Sequence, residues 1–300
     1  MAAGWYVVLV GVTPSLSESA YSLRFRGVSA LYGERALESF RASHVAIVGI
    51  GGVGSWAAEA IARTGVGAIT VVDLDEVCIS NTNRQLHSLV STVGHAKADV
   101  LERRIREINP ECAVRADKRF ITPDNVHAFL ADAAPAFSAV IDAVDGVQDK
   151  AALIDACVRL DVPIVTVGAA GGKLDPTTTR AVDISRVHGD SLMQSVRRLL
   201  RSEYAYPPET RGRAFRGSEW GIIAVSSPEL APRRSKAPTA PSCDQFGTAT
   251  HVTGTLGFAA AAVVAGVLAD GDASEGGHYR ELRERIGVQK ECGGEGRKSR

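Results

Sequence analysis

The amino-acid sequence predicts an α/β fold: a doubly wound, mostly parallel sheet with a Rossmann-like nucleotide site and an irregular, partly helical C-terminal extension. Three observations carry that prediction. Short, nearly continuous apolar runs alternate with helix-period segments from His44 to Gly168, as in parallel strands covered by helices on both faces. The first run ends in Gly49-Ile50-Gly51-Gly52-Val53-Gly54, a turn that lets backbone N–H groups reach phosphate at a helix N-terminus. The second ends in Asp73-Leu74-Asp75, which puts an acid about twenty residues on, where ribose hydroxyls are held.

Arg24 to Phe40 reads as a polar arm and a short helix, with Leu31, Ala36, Leu37 and Phe40 at helical spacing. His44 to Val48 is the first buried strand. A helix runs from the glycine turn to Thr64, a strand from Ala68 to Asp73, and a long loop through Asn83. The next helix, Ala96 to Ile108, is stopped by Asn109-Pro110. There follow a strand at Ala113 to Ala116, a helix from Asp124, a strand at Ala139 to Ala143, a helix from Lys150 to Leu160 and a strand from Pro163 to Gly168. After Gly172 the alternation is expected to stop. Thr177 to Asp183 reads as a strand, Ser191 to Ser202 as a basic helix, and Tyr206 to Ser218 and the Pro-rich Ser226 to Ser242 as loop or flap. The Gly- and Ala-rich run Phe246 to Leu268 is interrupted by Thr and His residues, so it is expected to be a buried or dimer-face helix and no integral membrane segment.

With 300 residues, 45% of them hydrophobic, the chain can bury one sizeable core. Its formal net charge is +0, so no global basic field draws in nucleic acid and any RNA contact must be local. Arg197, Arg198 and Arg201, with Arg211, Arg213, Arg216, Arg233, Arg234 and Lys236 beyond them, are expected to form such a patch, or else a solvated helix face and linker. Five cysteines are scattered without a Cys-x-x-Cys pair, which frames neither a zinc site nor a disulfide scaffold and suits a reducing compartment. No basic residue precedes the apolar Trp5 to Val12, so a secretory signal is not expected.

The residues after the ribose acid choose between nucleotides. Hydride transfer gives no reason for Asn81, Arg84 and Lys97 to follow it, nor for Asp145 at the end of a later apolar strand. Splitting a triphosphate needs cations on the phosphates and a carboxylate for Mg2+. ATP is therefore favoured over NAD. Gly49, Gly51, Gly52 and Gly54 are expected to cradle the phosphates and Asp73 the ribose. Asn81, Arg84 and Lys97 act on phosphate charge, unless they are surface polar groups. Asp145 is the expected Mg2+ ligand, and Asp142, inside its strand, a structural acid. Asp75 is either a nucleotide contact or a solvated or capping acid. Arg24 and Arg26 precede the first strand and do not reach their own nucleotide; they are a trans-acting arm across a homodimer interface, Arg24 being the catalytic candidate, or ordinary surface arginines. Cys243, flanked by polar sequence, is the one candidate nucleophile, and nothing near it in sequence lowers its pKa.

Several segments together resemble the ubiquitin-activating-enzyme-like adenylating superfamily and, within it, the tRNA threonylcarbamoyladenosine dehydratases. They are Leu31-Tyr32-Gly33-Glu34, Gly49 through Gly67, Asn81 to His87, Ile108-Asn109-Pro110-Glu111-Cys112, Thr122 to Val126, Ala170 to Pro176 and Phe246 to Thr250. The resemblance implies a ThiF-type adenylating domain over residues 24–270, with an N-terminal extension at 1–23 and a polar tail at 271–300. It implies ATP and Mg2+, a threonylcarbamoyl-modified, ANN-decoding tRNA as substrate, and a homodimer. The substrate carboxylate is activated as an acyl adenylate and the carbamoyl nitrogen closes a ring with loss of water, a route that needs no thioester and no zinc. The family also brings a cysteine desulfurase or sulfur-acceptor partner and a cytoplasmic setting; the departing termini leave a mitochondrial or membrane-associated location as the alternative. Competing readings are adenylation of a ubiquitin-like sulfur carrier, whose enzymes usually have two Cys-x-x-Cys pairs, and a nucleotide-binding scaffold without turnover.

Overall fold

Among the described residues seven strands form one sheet in the order β3-β2-β1-β4-β5-β7-β6, parallel throughout except that β6 runs antiparallel to β7. The computed structural model describes residues 19–207, 219–231 and 246–269. Strands β1 (His44–Val48), β2 (Ala68–Val72) and β3 (Ala113–Asp117) make one half, and β4 (Ala139–Asp142), β5 (Ile164–Val167), β6 (Arg180–Asp183) and β7 (Ile223–Ser226) the other. The order reverses between β1 and β4. A crevice must open there at the carboxyl ends of the strands, because successive helices leave to opposite faces.

The helices divide accordingly. On one face α3 (Glu34–Ala42), α4 (Gly54–Thr64), α5 (Lys97–Ile108) and α9 (Thr250–Ala269) pack over Val45, Ile47, Ile69 and Val71. On the other, α6 (Val126–Ala131), α7 (Val147–Arg159) and α8 (Ser191–Glu203) cover Ala46, Val48, Val72 and Val140. Alternate residues of the central strands thus feed two cores, which is why those strands read as continuous apolar runs. Helix α9 is long and apolar enough to cross a membrane. Here it packs chiefly on α4 and the sheet, as expected of a helix that is apolar all round.

Two sequence expectations are corrected. The arm before β1 is three helices, α1 (Ala20–Arg24), α2 (Arg26–Tyr32) and α3; Tyr21 and Phe25 are buried, and the Tyr21 hydroxyl donates to the Gly65 carbonyl. The strand expected over Thr177 to Asp183 is present as β6, but β7, where no strand is expected, inserts between it and β5. Residues 208–218 and 232–245, with most of both proposed loops, lie outside the described residues, as do 1–18 and 270–300.

His44 ties the amino edge of the sheet together. Its Nδ1 faces the Pro135 carbonyl at 2.7 Å, so it carries the proton, and Nε2 accepts from the Thr70 hydroxyl at 2.9 Å. Burial, above all, lowers the His44 pKa below the ordinary imidazole value. The unfolded chain therefore binds a proton near pH 6.5 that the folded protein refuses, and stability must fall as pH drops through that value toward the folded one. We predict that the urea midpoint declines from pH 7 to pH 5 less steeply for His44→Leu than for the natural chain. Equal slopes would remove His44 from the linkage.

Candidate nucleotide site

The turn after β1 is shaped by backbone crowding. Gly49 has φ +80°, and a Cβ there would come within 2.9 Å of the Ala143 carbonyl oxygen at the end of β4. A Cβ on Gly54, the first residue of α4, would collide with the Gly49 carbonyl. Gly51 differs: the nearest atom to a Cβ there is Gln85 Nε2, at 3.7 Å. Its missing side chain leaves space that the fold does not fill, beside the N-terminus of an eleven-residue helix. That is the geometry of a phosphate cradle.

Asp73 closes the turn from β2. Its Oδ2 accepts from Ile50 N at 3.0 Å and its Oδ1 from Asp75 N at 2.9 Å. Each oxygen keeps a second lone pair for a hydroxyl. Burial raises the Asp73 pKa and Lys97 opposes the rise. Lys97, the first residue of α5, is buried, with Nζ 2.7 Å from Asp75 Oδ2 and 3.9 Å from Asp73 Oδ1. Asp75 thus holds the lysine while its own side chain remains half exposed.

Arg84 lies over the same turn: a Cβ on Gly52 would sit 3.4 Å from Arg84 Cγ. Its Nη1 donates to the Ser80 carbonyl and to Asn83 Oδ1, both at 3.0 Å, and its carbonyl accepts from Trp56 Nε1 at 3.0 Å. Asn81 serves the loop, its Oδ1 accepting from Cys78 N at 2.9 Å. Glycine turn, Asp73, Asp75, Lys97 and Arg84 are therefore brought together. Asp145 is exposed just beyond β4, whose neighbouring Ala143 touches Gly49, so it shares this edge of the sheet.

Other candidates fall elsewhere. Arg24 lines a hollow with Arg63, Arg104 and Glu107 at the far end of α4, about 16 Å along the helix from the glycine turn; it does not join its own protomer's site. Cys243 lies outside the described residues. Of the basic patch, Arg197 is buried and donates to the Ile184 carbonyl at 3.2 Å, Arg201 lies over the Trp220 ring, and only Arg198 of the three is exposed; the remaining members are outside the described residues. An amphipathic helix needs its long stems inside, and here one whole arginine goes with them.

Sequence reasoning gave Lys150 no role. It lies beneath the site with Nζ 3.0 Å from Asp142 Oδ2, both side chains wholly buried, and Thr166 Oγ1 donates to that same oxygen at 2.7 Å. The available signal was an acid inside an apolar strand with a lysine in the following helix. Gln85 and His87 were also passed over. Both are buried, and Gln85 Oε1 and both His87 ring nitrogens lack hydrogen-bond partners.

The sequence model of the ThiF family matches residues 24–275. The tRNA threonylcarbamoyladenosine dehydratase of Escherichia coli (strain K12) is 44% identical, with 80% of this chain and 91% of that protein covered. The Haemophilus influenzae protein of the same name is 36% identical, covering 83% and 94%. The crystal structure of the E. coli tRNA N6-threonylcarbamoyladenosine dehydratase in complex with ATP is similar with a TM-score of 0.76 at 43% identity, over 87% of this chain and 100% of that one. Its complex with AMP gives the same TM-score.

The two glycines make opposite predictions. Gly51→Ala should leave the urea midpoint nearly unchanged and weaken ATP binding about tenfold or more, since its methyl group occupies ligand space, whereas Gly54→Ala should lower stability by more than 1 kcal/mol through backbone collision. Calorimetric titration and unfolding of both variants check this. Undiminished ATP affinity in Gly51→Ala would put the phosphates elsewhere.

Proposed function

We propose, since this chain belongs to the ThiF family, that it activates a carboxylate with ATP and dehydrates threonylcarbamoyladenosine in tRNA by way of an acyl adenylate. The observation that carries the reading is the convergence of Lys97, Arg84 and the glycine turn on one edge of the sheet, in a chain that matches dehydratases along nearly their whole length. The adenylating unit spans residues 24–270.

The site supplies charge and position. A substrate carboxylate oxygen attacks the α-phosphorus, the bond to the bridging oxygen breaks, and pyrophosphate leaves. Negative charge builds on the non-bridging oxygens and the leaving group, where Arg84, Lys97 and the N–H groups opening α4 stabilise it without moving a proton. Triphosphate competes with Asp75 for the Lys97 ammonium. The carbamoyl nitrogen of the same substrate then attacks the acyl carbon, loses its proton and expels AMP, so the oxygen formally lost as water departs on AMP.

The acid pair after β4 suits Mg2+, a hard cation usually held by one or two carboxylates and phosphate. Asp145 is exposed there, and Asp149 in the first turn of α7 has its pKa raised by burial and then by the charge of Asp145. Asp145 would hold the ion, which would neutralise phosphate charge. Arg24 enters catalysis only in a homodimer that carries it to a second protomer's nucleotide. A cytoplasmic setting is part of the same proposal.

The test is product analysis. Incubated with ATP, Mg2+ and threonylcarbamoyl-modified tRNA, the protein should convert that nucleoside to one lighter by a water and release AMP, and should not adenylate a carrier protein ending in Gly-Gly. Adenylation of the carrier alone would establish the sulfur-carrier reading. Inertness toward both would leave a nucleotide-binding scaffold.

A further inference from the structure

β4 passes into α7 through residues 143–146, and one buried ammonium is folded into that bend. Lys150, one turn into α7, points its Nζ back toward the strand. It lies 3.0 Å from Asp142 Oδ2 and donates to the Val144 carbonyl at 2.9 Å and the Asp142 carbonyl at 3.2 Å. Those three acceptors match the three donors of an ammonium. Asp142 closes the bend from the other side: its Oδ1 accepts from Val144 N at 3.1 Å, and its Oδ2 from Thr166 Oγ1 on β5 at 2.7 Å. Both side chains of the pair are wholly buried.

Such a pair contributes little net stability, so the place of its bonds is what calls for explanation. The lysine's bonds fall on Asp142 and Val144, and the next residue out is Asp145, exposed at the carboxyl edge of the sheet. Ala143, held inside the bend, donates to the Val48 carbonyl at 2.9 Å and is the residue that a Cβ on Gly49 would strike. The bend is thus joined to the glycine turn as well. We infer that Lys150 is a positioning residue for the cation side of the site, fixing the backbone from which Asp145 reaches Mg2+. The inference rests on the Mg2+ reading above. Mg2+ demands near-ideal octahedral geometry, and an exposed carboxylate on an unrestrained loop would not keep to it. The ammonium supplies the restraint from beneath, and being wholly buried it acts only through the bend.

The test reads metal affinity apart from turnover. Mn2+ is the probe, and its binding to the full chain with an equal amount of ATP is followed by loss of the free-ion electron paramagnetic resonance signal. A variant with both Asp142→Asn and Lys150→Met, which strands neither charge, should bind Mn2+ about tenfold more weakly, the usual effect of removing an outer-shell partner. Lys150→Arg, which keeps the charge and its donors, should retain most of the affinity, as should Thr166→Val, which disturbs the same core but not the bend. Natural Mn2+ affinity in the paired variant, or an equal loss in Thr166→Val, would overturn the inference. If the paired variant does not fold, the natural chain with nitrogen-labelled lysine replaces it. Mn2+ should then broaden the Lys150 ammonium resonance in the ATP complex of the natural chain and leave it sharp in Asp145→Asn; a sharp resonance in the natural chain overturns the inference. Asp145→Asn also separates the two readings. If that variant binds Mn2+ as tightly as the natural chain, the ion is held elsewhere, and the Mg2+ reading fails together with this inference.

Discussion

Everything at the site depends on three backbone segments meeting without side chains between them. Gly54 lets α4 begin against the Gly49 carbonyl, Gly49 lets β1 turn beside Ala143 at the end of β4, and a Cβ on Gly257 of α9 would come within 2.5 Å of the Val53 carbonyl. Those contacts set the entry angle of α4, and with it the direction of its unpaired N–H groups. Helix α9 explains why the second half of the chain is needed by a site built from the first. It presses the glycine turn from the outside, with Trp56 stacked edge-on against Phe258 and donating to the Arg84 carbonyl.

Charge is arranged around that turn at two depths. Asp142 and Lys150 neutralise each other beneath it, fully buried, and the Lys150 ammonium also donates to the Asp142 and Val144 carbonyls. A pair so enclosed contributes little net stability, but removing either partner would strand the other; it fixes where β4 ends and thus where Asp145 emerges. Above it, Lys97 is matched to Asp75 at the surface and Asp73 inside. A chain with no net charge thereby still gathers cations at the crevice where an anion is to be held.

The strands that build the crevice were legible because a sheet buried on both faces leaves an unbroken apolar signature, and Gly49 to Gly54, Asp73, Arg84 and Lys97 were legible because short-range spacing alone places them on one edge. What escaped the sequence depends on contacts across the fold. Strand β7 is four residues set between irregular segments, and its identity comes from pairing with β5 and β6. Arg197 reads as surface until α8 is docked and its guanidinium meets the Ile184 carbonyl. Lys150 and His87 carry no local mark either, since a buried ion pair and an unpartnered ring are both properties of an assembled core.

The acyl adenylate is tested most directly by following oxygen. With threonylcarbamoyl-tRNA bearing a heavy-oxygen label in the carboxylate, attack on the α-phosphorus requires that one labelled oxygen leave on AMP when the ring closes. Mass analysis of the released nucleotide should find the label there, with pyrophosphate unlabelled. Label in inorganic phosphate, accompanied by ADP, would mean that the γ-phosphate is the group transferred and would contradict the account of this site.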